Sequence, residues 1–236
     1  MNPVLILTRN NIELTKKCVE SVRGQDVIPS PYTLIFDNGS WDGTSEWLPD
    51  NHDPKSDLIV LRQSCNRGVS AGWNWSLDYW FDIRNADHVL VLNNDVLLPS
   101  WFYRHILSYP YSFVTGISVD QMSQIEKEPE IGLTPSPHPD MSAFLIRREC
   151  WERVGKFDES MKHYASDMDY HVRGHRAGVE MMNSGVPFYH ERSSTIKNAS
   201  PEDRREIETQ ANLDRAAFRA KWGVECNSPD YQGLFR

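Results

Sequence analysis

Several strings in the chain combine side chains that bind hard cations or move protons. The most concentrated is Asn93-Asn94-Asp95, which ends an apolar run and offers two amides and a carboxylate. Mg²⁺ and Mn²⁺ favour oxygen ligands and often take one or two protein carboxylates beside substrate phosphates, so this string is a candidate metal and ligand site. Asn and Asp also favour turns, and a tight polar turn explains the same residues.

Two carboxylates and a histidine later in the chain are candidates for proton transfer and metal binding. Asp167 and Asp169 stand at the start of a predicted helix, and their spacing directs them to different faces. One of them could be a general base that removes a hydroxyl proton. His190 ends a predicted strand and could bind a metal through one ring nitrogen. Acids in a first helical turn and single histidines are also commonly structural.

Two further strings have the composition of nucleotide-binding loops. Asp37-Asn38-Gly39-Ser40 follows a predicted strand, where Asp37 could accept hydrogen bonds from a base or ribose and the glycine permits close backbone approach. Asn66-Arg67-Gly68 precedes a predicted helix, and a helix N-terminus with a nearby cation is a candidate diphosphate site. A β-turn with a side-chain cap explains the first string, and a capped surface helix explains the second.

The elements around these strings must position them, and the first half of the chain alternates strand and helix patterns. The polar strings fall at the carboxyl ends of the predicted strands, where ligands bind in parallel α/β sheets. The sequence therefore predicts an α/β fold with a mainly parallel, doubly wound sheet. The predicted strands are 4–8, 32–36, 58–61 and 88–92, with one helix between Asn11 and Gly24 and another over 70–81.

The second half has a less regular pattern. Its proline-rich stretch 125–140 predicts a loop, because proline forbids a long helix there. We expect this loop to border a substrate pocket; a passive surface excursion is the alternative. The further predicted elements are strands 144–146 and 186–189 and helices 147–154, 167–176 and one that starts after the cap Ser200 and stops at Gly223.

The overall composition narrows the classes of function. The 236-residue chain has a formal net charge of −8 and a pI of about 5.5, which disfavours nonspecific binding to nucleic acid or anionic membranes. Its four cysteines lack metal-binding spacing, and no apolar run reaches membrane-spanning length. We expect a single α/β domain with reduced cysteines, in the cytoplasm, with no transmembrane segment.

Taken in order, these strings resemble the family 2 glycosyltransferases. That resemblance implies the GT-A fold, a Rossmann-like and mainly parallel sheet with flanking helices and a less regular acceptor-binding half. The resemblance covers about residues 3–192. Within the family, the chain is most similar to the rhamnosyltransferase-like branch, in which an Asn-Arg-Gly string is usual. The strings that carry it are residues 4–10, 37–44, 66–74, 93–95, 144–148, 154–159 and 167–169.

The resemblance implies a role for each position. Asp167 would be the catalytic base, Asp95 would bind the metal, and His190 falls where some members supply a second metal ligand. Thr8 and Asp37 would hold the nucleoside, with Asn10 and Arg67 near the diphosphate. The full set expected to bind the nucleotide sugar is Thr8, Arg9, Asn10, Asp37, Asn66, Arg67, Gly68, Asn74, Asn93 and Asn94.

Two departures from the family pattern concern the metal and the base. Asn93 stands where many members have Asp, so Asp95 is the single carboxylate of that string, and Ser166 replaces a Glu beside Asp167. The expected reaction is one direct displacement with inversion at the sugar carbon, dependent on Mn²⁺ or Mg²⁺. The expected donor is a UDP- or dTDP-sugar, and the expected acceptor is a glycan, a lipid-linked sugar or a protein. The pocket that the loop 125–140 is expected to border is that of the acceptor.

Three other classes of function remain open from the sequence. A nucleotidyltransferase would use the same sheet and metal but attack a phosphorus, and a catalytically dead sugar-binding module would only bind. A glycosyltransferase acting on modified nucleic acid would need local basic groups such as Arg147-Arg148 or Arg204-Arg205, whose plainer explanation is solvated helix surface. Along the chain we expect one catalytic domain with a nucleotide-sugar half (1–118), an acceptor and catalytic half (119–198) and a C-terminal helix and tail (199–236).

Overall fold

A computed structural model describes residues 1–48, 57–128, 134–135, 140–191 and 201–235. One sheet dominates these ranges, with eight strands in the order β3-β2-β1-β4-β8-β6-β9-β5 and β7 paired to β9. The strands are β1 (Asn2–Thr8), β2 (Pro31–Asp37), β3 (Leu58–Arg62), β4 (His88–Asn93), β5 (Val96–Leu97), β6 (Phe113–Val119), β7 (Thr134–Pro135), β8 (Ala143–Arg147) and β9 (Met181–His190).

Helices flank this sheet and follow the strands in the chain. They are α1 (Ile12–Arg23), α2 (Thr44–Trp47), α3 (Val69–Asp78), α4 (Phe102–Ser108), α5 (Arg148–Val154), α6 (Ser166–Arg176) and α7 (Pro201–Trp222). A π-helical turn (Tyr79–Ile83) extends α3, and 3₁₀ turns occur at Met122–Ile125 and Pro229–Phe235. No helix in the described ranges is both long and apolar enough to cross a bilayer.

The strand directions confirm the predicted, mainly parallel sheet. β1 pairs in parallel with β2 and β4, and β2 pairs in parallel with β3, whereas β8 is antiparallel to both of its neighbours. β6 and β9 run with the first group, so only β8 and β5 are reversed among the eight strands in line. The strand order changes direction between β1 and β4, which creates a crevice at their carboxyl ends.

Apolar residues alternate between two cores on opposite faces of the sheet. In β1, Leu5 and Leu7 belong to one buried cluster, and Val4 and Ile6 belong to the other. This period of two, with both faces covered, explains why the strand is a continuous apolar run. A third cluster joins α6 to α7 and the C-terminal 3₁₀ turn through Met168, Val172, Phe218 and Tyr231.

The structure confirms the predicted strands and helices and adds elements that the sequence pattern did not reveal. The helices and strands that were missed are α2, α4, β5, β6 and β7. Helix α4 has no side-chain cap at its start, and β6 contains a glycine, Gly116. Within the predicted loop 125–140, β7 pairs with Met182 and Asn183 of β9. Residues 129–133 and 136–139 of that loop, and the predicted cap Ser200, lie outside the described residues.

All four cysteines are free thiols, as the sequence predicts. Cys18 and Cys150 are buried, Cys226 is half-buried and Cys65 is exposed. Burial raises the pKa of the Cys150 thiol to about 12, which keeps it protonated. Cys18 donates its S–H to the carbonyl of Asn93 over 3.5 Å, and this contact ties α1 to the end of β4.

Candidate active site

The Asn94 side chain ties together three chain segments at the carboxyl ends of β1 and β4. Its Nδ2 amide lies 3.0 Å from the Thr8 Oγ1 atom, 2.9 Å from the Thr15 Oγ1 atom and 3.0 Å from the Asn10 carbonyl oxygen. The Thr8 and Thr15 hydroxyls also bond each other at 2.9 Å. These contacts fix the edge of the crevice, and they engage Thr8 and the Asn94 amide within the protein.

The loop after β2 is held in a similar way. Asp37 is fully buried. Its Oδ1 accepts the Ser40 N–H at 3.0 Å, and its Oδ2 accepts the Ser45 hydroxyl. Asn10 accepts the Trp41 N–H at 2.9 Å and donates its own N–H to Ser40 Oγ at 2.8 Å. A nucleoside bound by Asp37 would therefore meet a carboxylate whose two oxygens already accept hydrogen bonds within the protein.

Asp42, in the same loop, caps helix α1. Its Oδ2 accepts the Ile12 N–H at 3.1 Å, whereas Asn11, the residue just before the helix, makes no side-chain cap bond. Burial by itself would raise the pKa of Asp42, but hydrogen bonds from the Thr44 hydroxyl and from backbone N–H groups outweigh it and lower the pKa. Asn11 is the N-cap residue by position, and the loop after β2 supplies the carboxylate that accepts a hydrogen bond from the start of the helix.

Asn38 joins the end of β2 to the 66–68 string. Its Oδ1 accepts the Arg67 N–H at 2.8 Å, and its Nδ2 donates to the Gly68 carbonyl at 3.1 Å. Gly39 has φ +77°, and a Cβ there would lie 2.7 Å from the Cys65 backbone, so glycine permits this close approach. The Asn66 Oδ1 accepts the Gly68 N–H at 2.9 Å, and the Arg67 side chain is exposed.

The N-terminus of α3 is already bonded to the protein. The N–H groups of Val69 and Ser70 donate to the Lys162 carbonyl at 2.6 and 3.2 Å. Gly68 has φ +92°, and a Cβ there would lie 2.9 Å from the Lys162 Cβ. A diphosphate at this helix end would have to displace the Lys162 carbonyl, which the sequence pattern did not reveal.

Asp95 and His190, the two predicted metal ligands, lie side by side. Asp95 occupies the tight turn between β4 and β5, and β5 pairs with β9 so that Val96 faces His190. The His190 Nε2 is 3.3 Å from the Asp95 Oδ1, and both side chains are mostly buried. Among the described residues, no group of three or more His, Cys, Asp or Glu side chains forms a metal-binding cluster.

Two cavities open at this edge of the sheet. Cavity A has a volume of about 380 Å³ and contains the ends of β1 and β4. It brings together six of the predicted site residues: Thr8, Arg9, Asn66, Asn93, Asn94 and Asp95. Helix α7 closes another side of it with Glu206, Ile207 and Gln210. The Nε of Arg9 is buried and has no hydrogen-bond partner among the described residues.

Cavity B has a volume of about 600 Å³ and contains Asp167. Asp167 is half-buried at the start of α6, and its Oδ1 accepts the Met168 N–H at 2.9 Å. The lining is mainly polar and includes Asp140, His171 and Arg215. Asp140 is the end of the predicted loop 125–140, so at least this residue of the loop borders the cavity that contains the predicted base.

The two cavities share a wall formed by Val69, Asn93, His163 and Tyr164. The wall contains two titratable groups, the His163 imidazole and the Tyr164 phenol. Burial lowers the pKa of His163 from its usual value, and the charge of Arg9 adds to the lowering, while Asp214 opposes it. A neutral imidazole therefore stands at physiological pH where the two cavities meet.

Asn74 and Asp169 lie away from both cavities. Asn74 donates from Nδ2 to the Phe157 carbonyl at 2.9 Å and accepts the Phe157 N–H at 2.8 Å. The Asn74 amide is therefore buried and bonded to the Phe157 backbone, and its expected contact with the nucleotide sugar stays a prediction. Asp169 is fully buried and bonds to α7, so the two acids of α6 do point to different environments.

The basic pair Arg147-Arg148 has a structural role. Arg147 donates to the carbonyls of Leu107, Tyr109 and Tyr111 at 3.1, 2.8 and 3.0 Å. Arg148 donates to the carbonyls of Phe81 and Ala86. Because both guanidinium groups bind backbone oxygens, this pair does not form the basic surface that a nucleic-acid acceptor would need.

A comparison with family models identifies the relatives of this chain. The glycosyl transferase family 2 model matches residues 4–127, which contain the crevice residues from Val4 through Asp95. The chain belongs to that family. It is therefore a glycosyltransferase, and the match covers the strand ends that line cavity A but not Asp167. A comparison with curated protein sequences gave no match.

Solved structures similar to this glycosyltransferase have the GT-A fold. The mannosyltransferase PcManGT of Pyrobaculum calidifontis, solved with GDP-Man and Mn²⁺, is 16% identical with a TM-score of 0.59, over 98% of this chain and 77% of that one. S. aureus TarS 1-349 is 13% identical with a TM-score of 0.59, over 100% and 78%. GalNAc-T7 with UDP, GalNAc and Mn²⁺ is 10% identical with a TM-score of 0.63, over 100% and 54%. At these identities the similarity confirms the predicted fold.

Several residues that line the two cavities were not predicted from the sequence. His163, Tyr164 and Gln210 line the cavities, but none lies at the end of a predicted strand. A signal for the first two was present, because they stand within five residues before Asp167. The sequence around Gln210 does not indicate that it lines a cavity, because its position there depends on how α7 packs across the edge of the sheet.

Proposed function

We propose that this glycosyltransferase inverts the sugar carbon and depends on a divalent metal. It would move a sugar from a UDP or dTDP donor to the hydroxyl of a glycan, a lipid-linked sugar or a protein. The observation that carries the proposal is the shared wall of cavities A and B. A donor in cavity A and an acceptor in cavity B would meet at that wall, with Asp167 on the acceptor side.

The proposed chemistry is a single displacement. The Asp167 carboxylate takes the proton of the acceptor hydroxyl as its oxygen forms a bond to the anomeric carbon. The bond from that carbon to the diphosphate oxygen breaks, and the nucleoside diphosphate leaves. Attack from the face opposite the leaving group inverts the carbon. The half-buried position of Asp167 beside a polar cavity fits this role.

Asp95 and His190 are the residues we propose to hold the metal. A carboxylate oxygen and an imidazole nitrogen in contact at 3.3 Å suit Mn²⁺ or Mg²⁺, with substrate phosphates completing the ligand set. A bound cation would supply positive charge that stabilises the leaving diphosphate. Arg9 would add a fixed positive charge, since its Nε is buried in cavity A without a partner among the described residues.

The finer features are also our proposals. The Asn66-Arg67-Gly68 string favours the rhamnosyltransferase-like branch and hence a deoxyhexose donor. Four free thiols fit a reducing compartment such as the cytoplasm. We keep the division into a nucleotide-sugar half (1–118), an acceptor half (119–198) and a C-terminal helix and tail (199–236), with one sheet continuing through the first boundary in β6.

A melting-temperature screen of nucleotide sugars with Mn²⁺ tests this function. A donor at 100 times its dissociation constant adds about 2.7 kcal/mol, or roughly 5–11 °C for a chain of this size. We expect a UDP- or dTDP-sugar to give the largest shift and incubation to release the nucleoside diphosphate. Release of pyrophosphate would identify a nucleotidyltransferase, and binding without turnover would identify a sugar-binding module.

A further inference from the structure

A buried carboxylate on α7 holds the wall between the two cavities. Asp214 is fully buried. Its Oδ1 accepts the Lys162 N–H at 3.0 Å, and its Oδ2 accepts the N–H groups of His163 and Tyr164, both at 2.9 Å. The Gln210 Nε2 donates to Oδ1 at 2.7 Å. Four donors on one carboxylate are strong contacts, because hydrogen bonds to an ionised acceptor are shorter and stronger than neutral ones.

The segment held in this way, residues 162–164, reaches the proposed base directly. His163 and Tyr164 line both cavities. Ala165 follows with φ +60°, and α6 then begins with Ser166 and Asp167. A non-glycine residue at positive φ persists only where its surroundings hold it. The position of Asp167 therefore depends on a segment that cannot relax without losing its contacts to Asp214.

Gln210 extends the contacts of Asp214 to the proposed donor side. It lines cavity A together with Glu206 and Ile207 from the same helix, and its amide is bonded to Asp214. A continuous series of contacts thus runs from cavity A through Gln210, Asp214 and the 162–164 segment to Asp167. Each link is a hydrogen bond or an adjacent residue.

We infer that Asp214 is a positioning residue that fixes the wall segment and, through it, the orientation of Asp167. This inference rests on the proposed role of Asp167 as base. Asp214 itself does not act on substrate, because its oxygens are fully buried and accept four donors from the protein. The helix that carries it lies outside the part of the chain matched by the family model, residues 4–127.

The Asp214→Asn variant tests the inference. It keeps the size of the side chain but replaces one acceptor oxygen with an amide that faces the backbone N–H groups. The measured activity is nucleoside diphosphate release, with water as acceptor, from whichever UDP- or dTDP-sugar gives the largest melting shift with Mn²⁺. We expect at least a tenfold lower kcat, with the dissociation constant of the nucleoside diphosphate within threefold of wild type.

A double-variant cycle separates positioning from a general structural effect. If Asp214 acts through Asp167, adding Asp214→Asn to Asp167→Asn lowers turnover little further. Asp169→Asn is the matched control, since Asp169 is also a fully buried carboxylate between α6 and α7 and accepts Arg173 and Trp222 at 2.8 and 2.9 Å. Asp169→Asn should lower the melting temperature and change kcat less than threefold. In the double variant with Asp167→Asn, the fold-changes in kcat of the two single variants should multiply.

Gln210→Met serves if Asp214→Asn does not fold, because it removes one donor and leaves the carboxylate in place. We expect a two- to fivefold fall in kcat that disappears in the Asp167→Asn background. The inference is overturned if the fall in kcat caused by Asp214→Asn or Gln210→Met multiplies with that of Asp167→Asn. It is also overturned if Asp214→Asn folds and has wild-type kcat. Neither result bears on the proposed function. Wild-type turnover by Asp167→Asn would instead overturn the proposed function.

Discussion

Cavities A and B adjoin, yet they are assembled in different ways. One side of cavity A is formed by the ends of the neighbouring strands β1 and β4, and those ends lie within residues 4–127, which match the family. Most of the lining of cavity B instead comes from residues between Asp140 and Asn227, chiefly α6 and the segment that precedes it. The difference teaches that sheet topology positions one side of the first cavity, which α7 then closes, whereas most of the second depends on α6 and the C-terminal segment.

The comparison would be sharpened most by removing the proposed base. Asp167→Asn should lower transfer by about 10²–10⁴-fold, because a general base contributes that much to proton removal. Binding of the nucleoside diphosphate, measured by calorimetry, should stay close to wild type, since Asp167 lines cavity B and not cavity A. Equal losses of binding and turnover would contradict the assignment of donor binding to cavity A and proton removal to cavity B.

Asp95→Asn should have the next largest effect, and unlike Asp167→Asn it should weaken binding of the nucleoside diphosphate. Loss of one charged contact to a ligand corresponds to about 1.5–3 kcal/mol, or roughly 10–150-fold in affinity. We therefore expect weaker nucleoside diphosphate binding in Mn²⁺ and no further change on adding excess chelator. Wild-type transfer by the native protein in excess chelator would contradict metal dependence itself.

Gly68→Ala tests the junction of α3 with the wall segment. The added methyl meets Lys162 atoms at 2.9–3.0 Å at φ +92°, so we expect a loss of about 2–4 kcal/mol of stability and a fall of roughly 4–16 °C in melting temperature. Gly155→Ala is the matched control, since Gly155 has φ +80° but an added methyl there would have no atom within 4 Å. Equal shifts for both variants would assign the cost to backbone strain alone.

His88 lies at the other end of β4 from Asn93 and outside both cavities. We therefore expect its protonation to change the stability of the fold and not the catalytic rate. Burial, with the charge of Arg147, lowers the pKa of His88 to about 4 from 6.5. The unfolded chain therefore binds the extra proton first, and stability falls as pH drops from 6.5 towards 4, by up to about 1.4 kcal/mol per pH unit. In urea titrations at pH 7 and 5.5, His88→Gln should show a smaller loss than wild type; an unchanged pH slope would contradict this.

What the sequence could predict follows the same division. Strand ends and their polar strings are local, so Thr8, Asn93, Asn94 and Asp95 were found together at cavity A. Asp37 and Asn74 were found as polar residues, but only tertiary packing shows that they are buried and bonded within the protein. The wall at His163 was not predicted, because its position depends on Asp214, fifty-one residues away in the chain.

That separation along the chain has a consequence for the newly made protein. Tyr164 is synthesised 50 residues before the carboxylate that accepts its N–H. At translation rates of about 5–20 residues per second, roughly 3–10 s pass between the two. During that interval the nascent chain already has the strands that form the crevice, but the segment leading to Asp167 lacks its four-donor anchor at Asp214. The enzyme would thus leave the ribosome with its nucleotide crevice formed early and its catalytic geometry completed late.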